Sequence, residues 1–167
     1  MSKNVILVGM PGAGKSTLGV VLAKIAGMDF LDADLLIQKQ QGATLQRIID
    51  DVGVDEFIDI EGSVLRSIDV QNTVISTGGS AVYSPEALDC LRATGPIVYL
   101  QISYNSLVER LGDLQERGVV LKGGLSMSLQ QLYDERKPLY ERVADITVDV
   151  DGLSITDAAR KVASAVS

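Results

Sequence analysis

Gly9-Met10-Pro11-Gly12-Ala13-Gly14-Lys15-Ser16 sets a lysine and a hydroxyl directly after a glycine-rich turn, spaced as G-x-x-x-x-G-K-[ST]. Glycines at this spacing let backbone N–H groups curl around phosphate oxygens, and a helix opening at Lys15 adds the positive end of its dipole. Lys15 then brings a point charge to the β- and γ-phosphates of ATP. Ser16 ligates Mg2+, and Gly12, Ala13, Gly14 and Thr17 complete the nucleotide cradle. A plain glycine turn with an incidental lysine is the bland alternative. The apolar run before the loop and the amphipathic segment after it supply the context the motif needs. The loop leaves the acceptor open: water makes an ATPase or GTPase, a bound hydroxyl makes a kinase.

Further along the chain stand residues suited to an acceptor site. Asp32 ends a strand-like run, at the end of the strand where open α/β sheets gather ligands, and its carboxylate can hold Mg2+ through its waters. Asp34 can accept the proton of an acceptor hydroxyl or orient it for in-line attack. Its bland role is the N-cap of a helix that runs into Leu35-Leu36-Ile37. Gly78 and Gly79 lack side chains just past a strand, so a ligand can come close to the backbone there; an ordinary glycine turn is the alternative. Arg136 carries a guanidinium fork that matches a carboxylate, although a helical arginine more often makes a surface salt bridge. Arg110 and Arg117 taken alone read as solvated charges.

The order of these short motifs is more specific than any one of them. Asp32-Ala33-Asp34, Thr77-Gly78-Gly79 and Glu135-Arg136-Lys137-Pro138-Leu139-Tyr140 follow the phosphate loop, with Phe57, Glu61 and Ala144-Asp145 between and after them. In this arrangement, from Val5 to about Ile155, the chain resembles the shikimate kinase family. The resemblance implies a P-loop NTPase-type α/β sandwich of three layers: a five-stranded parallel sheet, helices on both faces, and a mobile lid. It also implies transfer of the ATP γ-phosphoryl group to the 3-hydroxyl of shikimate, a step of aromatic amino-acid biosynthesis. By the same resemblance Arg136 pairs with the acceptor carboxylate, Arg117 in the lid reaches the transferring phosphoryl group, and Arg110 lies against adenine.

Three positions depart from the family pattern. Ser80 stands where a third glycine is usual, and Arg117-Gly118-Val119-Val120 replaces Arg-Pro-Leu-Leu in the lid. Ile58 stands where the family has a second carboxylate-binding arginine. Charge-assisted hydrogen bonds contribute roughly 1.5–3 kcal/mol each, so their loss weakens a carboxylate acceptor by about one to two orders of magnitude unless something compensates. The leading reading is therefore shikimate kinase. A second is a kinase of the same fold whose acceptor is a different hydroxylated metabolite. A third is a nucleotide-binding regulatory module with weak catalysis, disfavoured because Lys15, Ser16, Asp32 and Asp34 are all intact.

Apolar runs over 5–8, 30–31, 74–76, 97–100 and 146–148 alternate with helix-length amphipathic segments over 15–26, 34–41, 55–69, 85–93, 103–111, 128–142 and 154–166. That alternation reads as α/β with a mainly parallel sheet. Ser84, Ser103 and Ser154 are the expected helix caps. Glycine-rich 112–126 reads as a mobile loop, and 34–70 as the helical part that holds the acceptor. With no repeat and no linker, one domain spanning 1–167 is expected. A chain of 167 residues with 46% hydrophobic and 22% charged residues is globular in composition. A net charge of −7 speaks against nucleic acid as partner. No apolar run has the length of a membrane span, and no signal peptide is expected at the N-terminus. The lone Cys90 suits a reducing cytoplasm, and the absence of histidine excludes Ser-His chemistry and the common zinc sites. A monomer is expected.

Overall fold

Val5–Val8 is apolar at every position, as a strand covered on both faces must be, and the computed structural model places it at the centre of a sheet. The structure describes residues 3–111 and 128–167. Within them five parallel strands run β1 Val5–Val8, β2 Asp29–Asp32, β3 Thr73–Ser76, β4 Ile97–Gln101 and β5 Ile146–Asp149, in the spatial order β2-β3-β1-β4-β5. The register sets Ile6 between Ile75 and Ile97, and Leu7 between Ser76 and Val98. Because the chain leaves β1 toward β2 and β3 on one side and later toward β4 and β5 on the other, the crevice beyond β1 is the topological switch point where such sheets take ligands.

Helices α1 Lys15–Ala26 and α8 Ile155–Val166 pack together, with α1 against β1, β2 and β3 and α8 against β5. Helix α7 Leu129–Val143 packs on β4, while α4 Val54–Ser67 and α5 Pro85–Arg92 pack with one another and with a short 3-10 turn, Gly79–Tyr83. Helices α2 Ala33–Gln41, α3 Leu45–Val52 and α6 Tyr104–Leu111 complete the described set. The expected α/β sandwich is the one found.

Two elements are additions to the sequence reading. Helix α3 lies between the expected helices over 34–41 and 55–69, where no separate helix is named, although Leu45, Ile48, Ile49 and Val52 repeat at helical spacing and Thr44 caps it by accepting from Arg47 N at 3.2 Å. The 3-10 turn begins at the second of the two glycines, Gly79, with Gly78 as its cap. Two expected caps hold, with Ser103 accepting from Ser106 N and Ser154 from Asp157 N. Ser84 stands at the start of α5 but makes no capping bond. Helix α4 ends at Ser67, short of the expected 69.

The main core surrounds the sheet. A smaller apolar cluster of Ile37, Ile48, Phe57 and Val64 joins α2, α3 and α4, with Ile58 packed at its side.

Candidate active site

The loop leaves β1 at Gly9 and enters α1 at Lys15. Gly12 and Gly14 have φ of 87° and 93°, left-handed backbone that a residue with a Cβ adopts only at a cost. Gly14 is the N-cap of α1 and brings no side chain to it, which leaves the first-turn N–H groups to a phosphate. Lys15 is 8% exposed, and its Nζ donates to the carbonyl oxygens of Gly9 at 2.7 Å and Met10 at 2.9 Å. Burial pushes its pKa down to about 8, against the pull of the Asp34 carboxylate.

Ser16 Oγ donates to Asp32 Oδ2 at 2.9 Å and lies 3.3 Å from Ser76 Oγ. Asp32 Oδ1 accepts from Asp34 N at 2.9 Å and Leu35 N at 3.2 Å. Asp32 is therefore the cap of α2, and the structural role considered for Asp34 belongs to its neighbour. The hydroxyl of Ser16 and the carboxylate of Asp32 are hard oxygen donors, which suit a divalent ion that keeps nucleotide phosphates and water as its other ligands. Among the described residues no group of three or more His, Cys, Asp or Glu side chains could hold a metal by itself, in keeping with an ion that arrives on the nucleotide.

Asp34 is half-buried in the first turn of α2. Burial raises its pKa to about 6, Lys15 opposes the rise, and Asp32 adds to it. Gly78 and Gly79 explain themselves by space. A Cβ at Gly78 would lie 2.6 Å from Asp34 Oδ1 and 2.8 Å from Glu61 Oε2; one at Gly79 would lie 2.8 Å from both Arg136 Nη1 and Pro11 Cδ. Arg136 is fully buried, its Nε donates to Tyr83 OH at 3.2 Å, and its guanidinium carbon sits 5.2 Å from the Tyr83 ring centroid. It is not the surface ion pair that helical arginines usually make. Pro138, two residues on, has no N–H to give the helix, and Tyr140 OH donates to Gly79 O at 2.6 Å.

A cavity of about 700 Å3 gathers Gly12, Gly14, Lys15, Ser16, Thr17, Asp34, Gly79 and Arg110 on one wall system. Ala13 and Asp32 stand behind it through their neighbours, and Gly78 and Arg136 lie behind Gly79 rather than on the cavity surface. Arg110 Nη1 donates to Ala13 O at 3.2 Å, so it sits at the phosphate loop's flank. Arg117 and the expected lid over 112–126 lie outside the described residues.

Sequence reasoning missed several of the residues found here. Leu153, Ser154 and Ile155 close the cavity beside Arg110, and no local motif announces them. Thr77 lines the cavity and is locked by its Oγ1 on Leu7 O at 2.8 Å. Glu61, 1% exposed, accepts from Ser80 Oγ at 2.7 Å; the F-x-x-x-E spacing marked the residue without giving it a partner. Asp145 is structural: its Oδ2 accepts from Ile97 N at 2.8 Å, and its Oδ1 lies 3.4 Å from Arg92 Nε.

Known proteins similar to this chain in sequence and in fold include several shikimate kinases. A shikimate kinase from Francisella tularensis subsp. novicida is 34% identical over 165 residues, covering 98% of this chain and 94% of that one. The structure of a shikimate kinase from Acinetobacter baumannii in complex with shikimate superposes with a TM-score of 0.83 at 30% identity, over 97% of this chain and 91% of that one. A shikimate kinase from Aquifex aeolicus gives 0.80 at 31%, over 95% and 93%. The family model described as shikimate kinase matches residues 11–167, from inside the phosphate loop to the last residue, and with these relatives it shows that the chain belongs to the shikimate kinase family, ATP-dependent phosphotransferases that act on an alcohol group.

Proposed function

We propose that this chain transfers the γ-phosphoryl group of ATP, carried with Mg2+, to the 3-hydroxyl of shikimate. The observation that carries the reading is that Asp34 shares a cavity with Lys15 and Ser16 while Arg136 stands behind the single residue Gly79. A candidate base and a phosphate-binding cation thus share one cavity, and a buried arginine stands one residue behind its wall. The bound shikimate of the Acinetobacter baumannii relative supports the same acceptor.

In this reading the phosphate loop and Lys15 hold the β- and γ-phosphates, and Lys15 offsets the charge that spreads over the equatorial oxygens during transfer. Ser16 and Asp32 hold the Mg2+, which when bound neutralises charge on the phosphates. Arg136 grips the acceptor carboxylate and so points the reacting hydroxyl at Asp34. With its pKa raised only to about 6, Asp34 stays largely ionised at neutral pH and accepts the hydroxyl proton as the new O–P bond forms. Arg117 is assigned to the transferring phosphoryl group and Arg110 to the nucleotide.

The test is an ADP-release assay with Mg-ATP and shikimate titrated to millimolar concentration. Saturable, shikimate-dependent ADP release is expected. A second reading rests on Ile58, which lines a neighbouring cavity of about 380 Å3 with Asp59, Arg66 and Tyr83: the kinase chemistry is kept and the acceptor is another hydroxylated metabolite. ATP binding with no shikimate-dependent release would select it.

A further inference from the structure

Residues 58 and 61 are one helical turn apart on α4 and share a face. An arginine at 58, as in the family pattern, is therefore a natural partner for Glu61. Here Ile58 turns into the small apolar cluster instead, and Glu61 stays buried. Its donor comes from Ser80, at the position where a third glycine is usual, with Ser80 itself only 3% exposed. One departure, Ser80, thus bonds this carboxyl, and the other, Ile58, stands one helical turn from it.

The other groups that face this carboxyl are Asp34 from α2, Arg136 and Tyr140 from α7, and Lys15 from α1. An arginine at 58 with an ionised Glu61 makes a neutral pair. Ile58 with an ionised Glu61 leaves the site one positive charge short of the family arrangement, beside the place where an anionic acceptor must sit, even with Arg136 and Lys15 facing the carboxyl. Ile58 with a neutral Glu61 is neutral again.

We propose that Glu61 takes up a proton when a carboxylate-bearing acceptor binds, its neutral form replacing the charge absent at position 58, so that the Glu61–Ser80 pair determines acceptor affinity. The proposal rests on the acceptor reading above. The proton comes from solvent and lands on Oε2, because Oε1 already accepts from Ser80; no bond of the acceptor changes. Glu61 is a positioning residue, not a group that touches the reacting atoms. Burial has already raised its pKa to about 7, with the Ser80 hydrogen bond lowering it, Asp34 raising it, and Arg136 and Lys15 lowering it. The sign follows: the neutral form prevails below about pH 7 and is lost as pH rises, and acceptor affinity goes with it.

The experiment is calorimetric titration of shikimate into the whole chain at pH 6, 7 and 8, in buffers of different ionisation enthalpy. If only the neutral form binds, the dissociation constant rises about tenfold from pH 6 to pH 8, and binding draws protons from the buffer. Glu61→Gln should bind with the low-pH affinity at every pH. Ile58→Arg, which restores a permanent charge without touching Glu61, should also lose the pH dependence and the proton uptake. The proposal is overturned by wild-type binding that is flat with pH and takes up no proton, or by an unchanged slope in Glu61→Gln. It is overturned equally if Arg66→Ala abolishes binding while Glu61→Gln leaves the pH dependence in place, which would assign the compensating charge to Arg66. No shikimate binding at any pH would sink the acceptor reading and this proposal together, whereas pH-independent binding with shikimate-dependent turnover sinks the proposal alone.

Discussion

The phosphate loop is built from eight consecutive residues, Gly9 to Ser16, whereas the proposed acceptor wall draws Asp34 from α2, Glu61 from α4, Gly78 and Ser80 from the segment after β3, and Arg136 from α7. The loop acts through backbone N–H groups whose directions follow from glycine φ angles and the start of α1. The acceptor wall acts through charged side chains brought together by packing around two glycines. A loop of the first kind tolerates little change, because its function is its conformation. A wall of the second kind can lose one charge and adjust another, and the proposal for Glu61 beside Ile58 and Ser80 is such an adjustment.

Lys15→Ala tests the loop side most severely. It removes the buried cation whose Nζ bonds Gly9 O and Met10 O, and turnover should fall by at least about a hundredfold, the scale of losing one preorganised electrostatic group. Near-normal ADP release from a folded Lys15→Ala protein would move the active site elsewhere. Asp34→Asn should lower kcat by about 10²–10⁴-fold, the usual share of a general base, while ATP affinity stays the same. Since Asp32 already caps α2, equal losses in kcat and ATP affinity would break the division between the two sides. Gly78→Ala places a Cβ against the carboxylates of Asp34 and Glu61. Overpacking of about 1–3 kcal/mol should appear as a roughly five- to 150-fold loss in kcat/KM for the acceptor. The KM for ATP should not follow; if it does, Gly78 belongs to both sides.

The same contrast explains what could be read from the residues alone. Lys15 and Ser16 were legible because motif and role sit in one unbroken stretch, and the sheet was legible because β1 and β4 are apolar at nearly every position. Arg136 owed its reading to its neighbours Pro138, Leu139 and Tyr140; nothing in an amphipathic helix says that its arginine is fully buried. The Ser80–Glu61 bond joins residues 19 positions apart and exists only once α4 has docked on the 3-10 turn, so no local pattern encodes it. Asp34 was ambiguous for a different reason. Two aspartates within three residues could each cap α2, and backbone geometry at Asp32, with ψ of 113°, decides between them. Arg117, a lid arginine only by the family resemblance, lies outside the described residues.

Helix α3 gives the finest test of how separate the two sides are. It carries no residue of the cavity and joins the small cluster through buried Ile48, which packs with Ile37, Phe57 and Val64, with Leu45 and Ile49 at the cluster's side. Its N-cap is a single bond from Arg47 N to Thr44 Oγ1. Removing that acceptor in Thr44→Ala should cost about 1 kcal/mol of stability in urea unfolding. If the small cluster is what keeps Phe57 and Glu61 in place, the acceptor KM should rise by roughly two- to threefold, the effect of a partial population shift in the wall. The ATP KM should stay constant, because α1 rests on the main core and not on this cluster. A matching rise in both KM values would show that the clusters act as one unit and that the loop depends on α3 after all. Loss of stability with neither KM affected would show that the wall is held by its own contacts around Gly78, with α3 serving the fold alone.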